Sequence, residues 1–116
     1  MKKIGLYIAA KYEIAYDAPI IVNKPDFVIE LFRLFDRMDL SCEESDDNDF
    51  VVLRHDLIQV RYQIENDEYY GDDKAYIQKF CDSMNITLEE FQNLIRKLIN
   101  ESDQSVEVVR FGWGEV

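Results

Sequence analysis

Along residues 4–16, apolar side chains recur at every second position. Ile4, Leu6, Ile8, Ala10, Tyr12, Ile14 and Tyr16 share one phase, with Lys11 and Glu13 in the other. A period of two is that of a strand with one face on a core. The segment therefore predicts a long half-buried strand, with a bend or bulge near Ala9-Ala10 to accommodate its length. Residues 17–24 read as a connection. The period then changes: Phe27, Val28, Leu31, Phe32, Leu34, Phe35 and Met38 cover one arc, with Glu30, Arg33 and Arg37 opposite. This predicts an amphipathic helix over about 25–40, with Pro25 in the first turn, where its missing N–H costs nothing. Residues 41–49 (SCEESDDND) predict an acidic loop. Alternation returns between Phe50 and Ile64, where Ile58, Val60, Tyr62 and Ile64 oppose Gln59, Arg61 and Gln63. That pattern predicts a second strand region. Whether Phe50–Leu53 is a separate arm is open, since Arg54-His55-Asp56 lacks the Gly or Asn of a tight hairpin turn.

Residues 65–73 (ENDEYYGDD) predict a second acidic connection. A helix follows over about 73–84, with Tyr76, Ile77, Phe80, Cys81 and Met84 on one face. Thr87 and Glu90 in T-L-E-E form a capping-box signature. The helix they start carries Leu88, Phe91, Leu94, Ile95, Leu98 and Ile99 at helical spacing. Glu89 and Glu90 early, with Arg96 and Lys97 late, suit its macrodipole. The end, Val106 to Trp113, is strand-like. A change of phase between Val106/Val108 and Val109/Phe111/Trp113 predicts a bulge near 108–109. The order β-α-β-α-α-β predicts an α+β fold: a largely antiparallel sheet with about three helices on one face, in one domain spanning 1–116.

Composition supports an ordered chain: 47% of the 116 residues are hydrophobic and 32% charged, which is globular usage. Charge narrows the function classes. Twenty-four Asp plus Glu against 13 Lys plus Arg leave a formal charge of −11. That field repels nucleic acid and anionic lipid and favours a basic protein partner. Cys42 and Cys81 lie far apart, in no C-x-x-C arrangement, which fits a reduced, cytoplasmic setting. Met1-Lys2-Lys3 runs straight into the alternating pattern, so neither a signal peptide nor a membrane span is expected.

Tests for chemistry come out negative. A nucleophilic triad would have to use the lone His55, and His55-Asp56 adjacency does not place a third group. One histidine with two scattered cysteines does not make a zinc site. The acidic segments miss the calcium-loop pattern, because Phe50 and Val51, or Tyr69 in the other register, occupy ligand or glycine positions. Gly5, Gly71, Gly112 and Gly114 form no phosphate cradle, and Gly112-Trp113-Gly114 offers either an exposed indole or a closed core edge. The reading therefore names no catalytic residue, metal ligand or cofactor.

What stands out is acid. Glu43, Glu44, Asp46, Asp47 and Asp49 occupy one connection, and Glu65, Asp67, Glu68, Asp72 and Asp73 the other, around Tyr69-Tyr70-Gly71. Aromatic area framed by carboxylates suits a cationic protein surface. The candidate contacts are Glu68, Tyr69, Tyr70, Asp72 and Asp73, with Glu43, Glu44, Asp46, Asp47 and Asp49 steering. The segment Glu68-Tyr69-Tyr70-Gly71, followed by a polar pair and a helix, resembles the segment by which barstar-type ribonuclease inhibitors grip their target. The resemblance implies target contacts at Tyr69, Gly71 and Asp73. It stops in the following helix: Ala75, Lys79 and Gln78 stand where that motif has two carboxylates and a Trp. Together these features are similar to a bacterial toxin-immunity protein that inhibits a basic, nuclease-type toxin domain. Two other classes are open: an acidic nucleic-acid mimic of phage or mobile-element origin, and an enzyme with an unfamiliar carboxylate site.

Overall fold

The computed structural model describes the backbone of residues 2–8, 11–16, 26–46 and 49–115 and the side chains of 5–7, 26–45 and 49–112. In chain order the elements are β1 (Lys2–Ile8), β2 (Lys11–Tyr16), α1 (Phe27–Arg37), β3 (Cys42–Asp46), β4 (Asp49–Leu53), α2 (Arg54–Asn66), α3 (Asp73–Met84), α4 (Leu88–Glu101) and β5 (Val108–Glu115). The strands form one sheet in the order β2-β1-β5-β4-β3, antiparallel at every pairing. The C-terminal strand thus lies between two hairpins distant in sequence.

Alternation sorts the sheet into two faces. Leu6, Phe50, Val52, Val109 and Phe111 are buried and stand opposite one another across the pairs Leu6–Phe111, Phe50–Phe111 and Val52–Val109. The helices cover this face. Phe32 of α1 stacks on Phe50, and Phe35 meets Phe111 edge-on. From α3, Phe80 sits edge-on to both Phe27 and Phe91, which binds α3 to α1 and α4. The buried residues of sheet and helices form one contiguous cluster. On the other face Tyr7, Asp49 and Arg110 are only partly buried. There the Tyr7 hydroxyl donates to Asp49 (3.0 Å), and the Arg110 guanidinium lies over the Tyr7 ring.

Three helices end on a residue in the left-handed region: Asp39, Asp67 and Asn85, with φ of 60°, 52° and 58°. In each, the next amide donates back to a carbonyl in the last turn, Leu40 to Phe35, Glu68 to Gln63 and Ile86 to Cys81, all at 3.0 Å. These are glycine-type stops made with short polar side chains, which tolerate that conformation better than other residues do. α4 starts as its capping box predicts, with reciprocal Thr87–Glu90 hydrogen bonds.

The α+β class and the antiparallel sheet agree with the sequence pattern, while the element list needs correcting. The segment 4–16 forms two antiparallel strands, not one, with Ala9-Ala10 outside the described residues. Residues 17–25, including Pro25, also lie outside them. The acidic loop expected at 41–49 is largely strand β3, paired with β4. The strand expected over 50–64 stops at Leu53 and becomes α2. Its buried residues, Leu57, Val60, Gln63 and Ile64, recur at helical spacing. Val60 and Ile64 satisfy both periods, whereas Leu57 and Gln63 are buried only if the segment is a helix. Among the described residues there are therefore four helices, in the order ββαββαααβ. The bulge expected near 108–109 is absent from the β4–β5 pairing, which runs in continuous register from Val108 to Gly112.

One side chain ties the strand–helix switch at Leu53–Arg54 to the far end of the chain. The Arg54 guanidinium donates to the Ile99 carbonyl (2.5 Å), Ser102 Oγ (2.8 Å), the Asp103 carbonyl (2.7 Å) and the Val106 carbonyl (3.3 Å). Its backbone amide donates to the Glu107 carbonyl at 2.9 Å. A cation at the C-terminus of α4 meets the negative end of the helix dipole, and a planar fork reaches several carbonyls that an ammonium could not reach together. By contrast the four ion pairs among described residues, such as Arg96–Glu65 with side chains 43% and 41% exposed, are solvent-facing and are worth roughly 0–1 kcal/mol each. Arg54→Ala is expected to lower the unfolding free energy in urea by roughly 2–4 kcal/mol, with Arg54→Lys recovering only part of it. A loss for the alanine variant no larger than that for Arg96→Ala would show the fork to be dispensable.

Candidate functional site

Two chain reversals and the face of α2 between them enclose the candidate site. α1 stops just before Asp39, and the chain turns towards β3. There the Ser41 amide donates to the Asp56 carboxylate at 2.7 Å, fastening this turn to the first turn of α2. α2 runs to Asn66, and the segment 67–72 returns the chain to the start of α3 at Asp73. That return contains Gly71 at φ +49°, with no atom within 4 Å of a notional Cβ. The glycine is needed for its backbone conformation and not for space. The three segments wall a cleft of about 470 Å³, which is ligand-pocket size. Asp39, Asp56, Asp72 and Asp73 bring carboxylates to it, Tyr70 and Tyr76 bring rings, and Arg37 is the one cation on the lining.

Two polar groups in this cleft carry a cost. Asp73 is only 9% exposed. Burial first, then the neighbouring charges of Asp39 and Asp72, make its carboxyl hold a proton to higher pH than an ordinary aspartate. Gln63 on α2 is 4% exposed, and its buried Oε1 has no hydrogen-bond partner among the described residues. A buried acceptor without a donor costs about 1–3 kcal/mol, and such groups are rare in native structures.

The predicted contact residues divide. Tyr70 is 68% exposed at the cleft, and Asp72 is exposed beside it. Tyr69 turns inward instead: it is partly buried against the core, with the Lys74 ammonium 5.7 Å from its ring centre. Lys74 also pairs with Asp67, so α3 supplies a cation that the segment itself lacks. Glu68 is exposed and accepts from the Tyr62 hydroxyl at 3.2 Å. Asp73 lies in the cleft floor. The aromatic pair is thus one surface ring and one structural ring.

The second acidic group lies elsewhere. Glu43 and Glu44 are exposed on β3, an edge strand with a register shift between Glu44 and Asp46. Carboxylates and a bulge there also keep the edge from pairing with another chain. Asp49 is engaged by Tyr7. Asp47 and the side chain of Asp46 lie outside the described residues, as does that of Trp113. Strand β3 begins beside Asp56 and advances about 3.3 Å per residue away from it, so its far end is distinct from the cleft.

Sequence reading missed Asp39, Asp56 and Gln63 as lining residues. Their signal was weak: Asp39 looked like a helix end, and Asp56 and Gln63 sat in a presumed strand. The two thiols, partly buried Cys42 and buried Cys81, are each pushed up to about 11, chiefly by burial, and so stay protonated at neutral pH. Among the described residues no cluster of three or more His, Cys, Asp or Glu could hold a metal ion, and no helix is long and apolar enough to cross a membrane. Comparison with protein-family models, curated proteins and solved structures finds no match.

The cleft carries a stability consequence. Asp73→Asn removes a charge held against two like charges and should stabilise the fold at pH 7 by about 1 kcal/mol. The folded-state pKa is raised above the ordinary value of 3.8, so the folded chain binds the proton more tightly than the unfolded one. The penalty is full above the folded pKa and fades as the pH falls towards 3.8. The variant's advantage in thermal unfolding should shrink on acidification; an advantage that is absent at pH 7, or independent of pH, contradicts this account.

Proposed function

We propose that this protein is a stoichiometric inhibitor that binds a basic protein, acting as a bacterial immunity protein acts on a cationic, nuclease-type toxin domain. One observation carries the reading: an exposed aromatic ring, Tyr70, stands at a cleft lined by four carboxylates and a single cation. Nucleases carry Lys and Arg to hold phosphates. An acidic protein of net charge −11 complements such a surface and speeds encounter with it. Tyr70 supplies rigid contact area at low entropic cost, the property that enriches tyrosine at binding hot spots. In this reading Asp72 and Asp73 are the central carboxylates and Glu68 a rim contact. The exposed Glu43 and Glu44, with Asp46 and Asp49 of the same hairpin and Asp47 between them in sequence, supply long-range attraction. The setting is the bacterial cytoplasm, where the toxin would be made.

A different class has one observation in its favour. A carboxyl that keeps its proton above the usual range is what a general acid requires. A general acid also needs a partner group to divide the chemistry with, and among the described residues no side chain hydrogen-bonds to the Asp73 carboxyl. Binding is therefore the better-supported use of the cleft.

Affinity capture from a native bacterial lysate, at low and high salt, tests the proposal. One basic protein retained in a one-to-one complex is the expected result. Several unrelated DNA-binding proteins would favour a nucleic-acid mimic instead. With the partner in hand, Tyr70→Ala should raise the dissociation rate at least about tenfold with little change in association. Glu43→Lys with Glu44→Lys should chiefly slow association, and the difference should vanish at high salt. Unchanged kinetics in both variants would remove these surfaces from the interface.

A further inference from the structure

We infer that the cleft between α1, α2 and the start of α3 is a pocket for one arginine side chain, contributed by the basic partner. The inference rests on the inhibitor reading and gives it a chemical anchor. The cleft offers acceptors and aromatic faces: the carboxylates of Asp39, Asp56, Asp72 and Asp73, the amide of Gln63, and the rings of Tyr70 and Tyr76. Arg37, the one cation on the lining, forms no ion pair with these acids among the described residues, so carboxylates outnumber cations there four to one.

Carboxylates alone would attract any cation. Two further features select the ligand. Gln63, which lines the cleft together with the nearly buried Asp73, keeps its buried Oε1 without a donor among the described residues. A ligand satisfying both must present at least two N–H donors in different directions and tolerate desolvation. A guanidinium does so: it has five donors in a rigid plane and is more weakly hydrated than an ammonium. Its flat face also suits an exposed phenol ring such as Tyr70, by stacking and by cation–π attraction. Lysine would bring a compact, strongly hydrated charge that matches the acid cluster but gains less from the amide and the ring.

The test uses the full chain and blocked tripeptides, Ac-Gly-Arg-Gly-NH2 and its lysine and citrulline counterparts, followed by amide chemical shifts. Saturable shifts are expected for the Gln63 side-chain amide and the backbone amides of residues 70–76, with arginine binding several-fold more tightly than lysine and citrulline not at all. Asp73→Asn should weaken the arginine peptide at least tenfold, and Gln63→Leu should erase the preference for arginine over lysine. Asp73→Asn removes a buried charge crowded by like charges and Gln63→Leu removes an unsatisfied acceptor, so loss of folding is not the expected confounder. Glu89→Gln, the same kind of charge removal at an exposed position on α4, should leave binding intact. Equal binding of arginine and lysine, shifts spread over the acidic surface, or no saturable shift would each overturn the pocket. Capture of a basic partner undiminished by Asp73→Asn, with no arginine-peptide binding, would sink the pocket and leave the inhibitor reading in place. Arginine binding in the cleft with no protein captured would do the reverse.

Discussion

The Arg54 fork joins the middle of the chain to its last turn of helix and the approach to its final strand. β4 ends at Leu53, and from the next residue the chain must leave the sheet as a helix. That residue's guanidinium grips the C-terminal carbonyl end of α4 and the segment leading into β5. β5 is the strand that joins the two hairpins. The sheet is therefore completed by the last segment of the chain, and the contact that guides this segment into position comes from the middle. Pairing of residues so distant in sequence carries a loop-closure cost that local contacts do not. A charge-assisted fork to four acceptors is one of the few single-residue interactions large enough to offset much of it.

The same junction positions the cleft. With its N-terminus held by Arg54, α2 directs Leu57, Val60 and Ile64 into the core, and by helical geometry Gln63 falls on the same flank, one residue short of Ile64. Asp56 reaches back to the Ser41 amide and so sets the distance between α2 and the end of α1. The stops at Asp39 and Asp67 turn the chain away at either end of the cavity, and Gly71 allows the return to α3. A well-packed fold would ordinarily fill such a junction with apolar groups. Here it holds a carboxyl against two like charges and an amide without a donor, and a rule of consistency between burial and polarity that is kept elsewhere in the core is broken at one spot.

Much of this was legible in the residues, and the failures have physical causes. α3 and α4 follow from spacing, and α4 also from its capping box, because an amphipathic stripe over several turns has no strand equivalent. The α+β class followed from alternation at both ends of the chain. α2 was misread because Ile58, Val60, Tyr62 and Ile64 alternate as a strand would, although Val60 and Ile64 are also one helical turn apart. The deciding residues were Leu57, in the wrong phase for a strand, and Gln63, whose burial no polarity rule anticipates. β3 was misread because the unbroken polar run from Glu43 to Asp49 resembles a loop, while an edge strand needs charge to stay unpaired. For the site, the segment around Tyr70 and Asp73 was readable as acid beside an aromatic ring. Its division into an outward Tyr70 and an inward Tyr69 was not, since that depends on which phenol meets the core. Asp39 and Asp56 come to the cleft only through tertiary contacts that no local pattern encodes.

The distribution of charge says more than its total. The ion pairs among described residues are all exposed, so they contribute little to stability and do not drain the negative field of the cleft. Asp73 and its neighbours therefore store a repulsion that the isolated protein relieves only by holding a proton. A bound cation relieves it directly, and the relief adds to the contacts the cation makes. Binding then stabilises the fold as RT ln(1 + [L]/Kd), and the gain is largest at pH values where the free carboxyl would be charged. The coupling is reciprocal: a proton on Asp73 weakens a bound cation by the same factor by which the cation weakens the proton. A cleft lined by four carboxylates and one cation is poorly suited to anionic ligands and well suited to a cation.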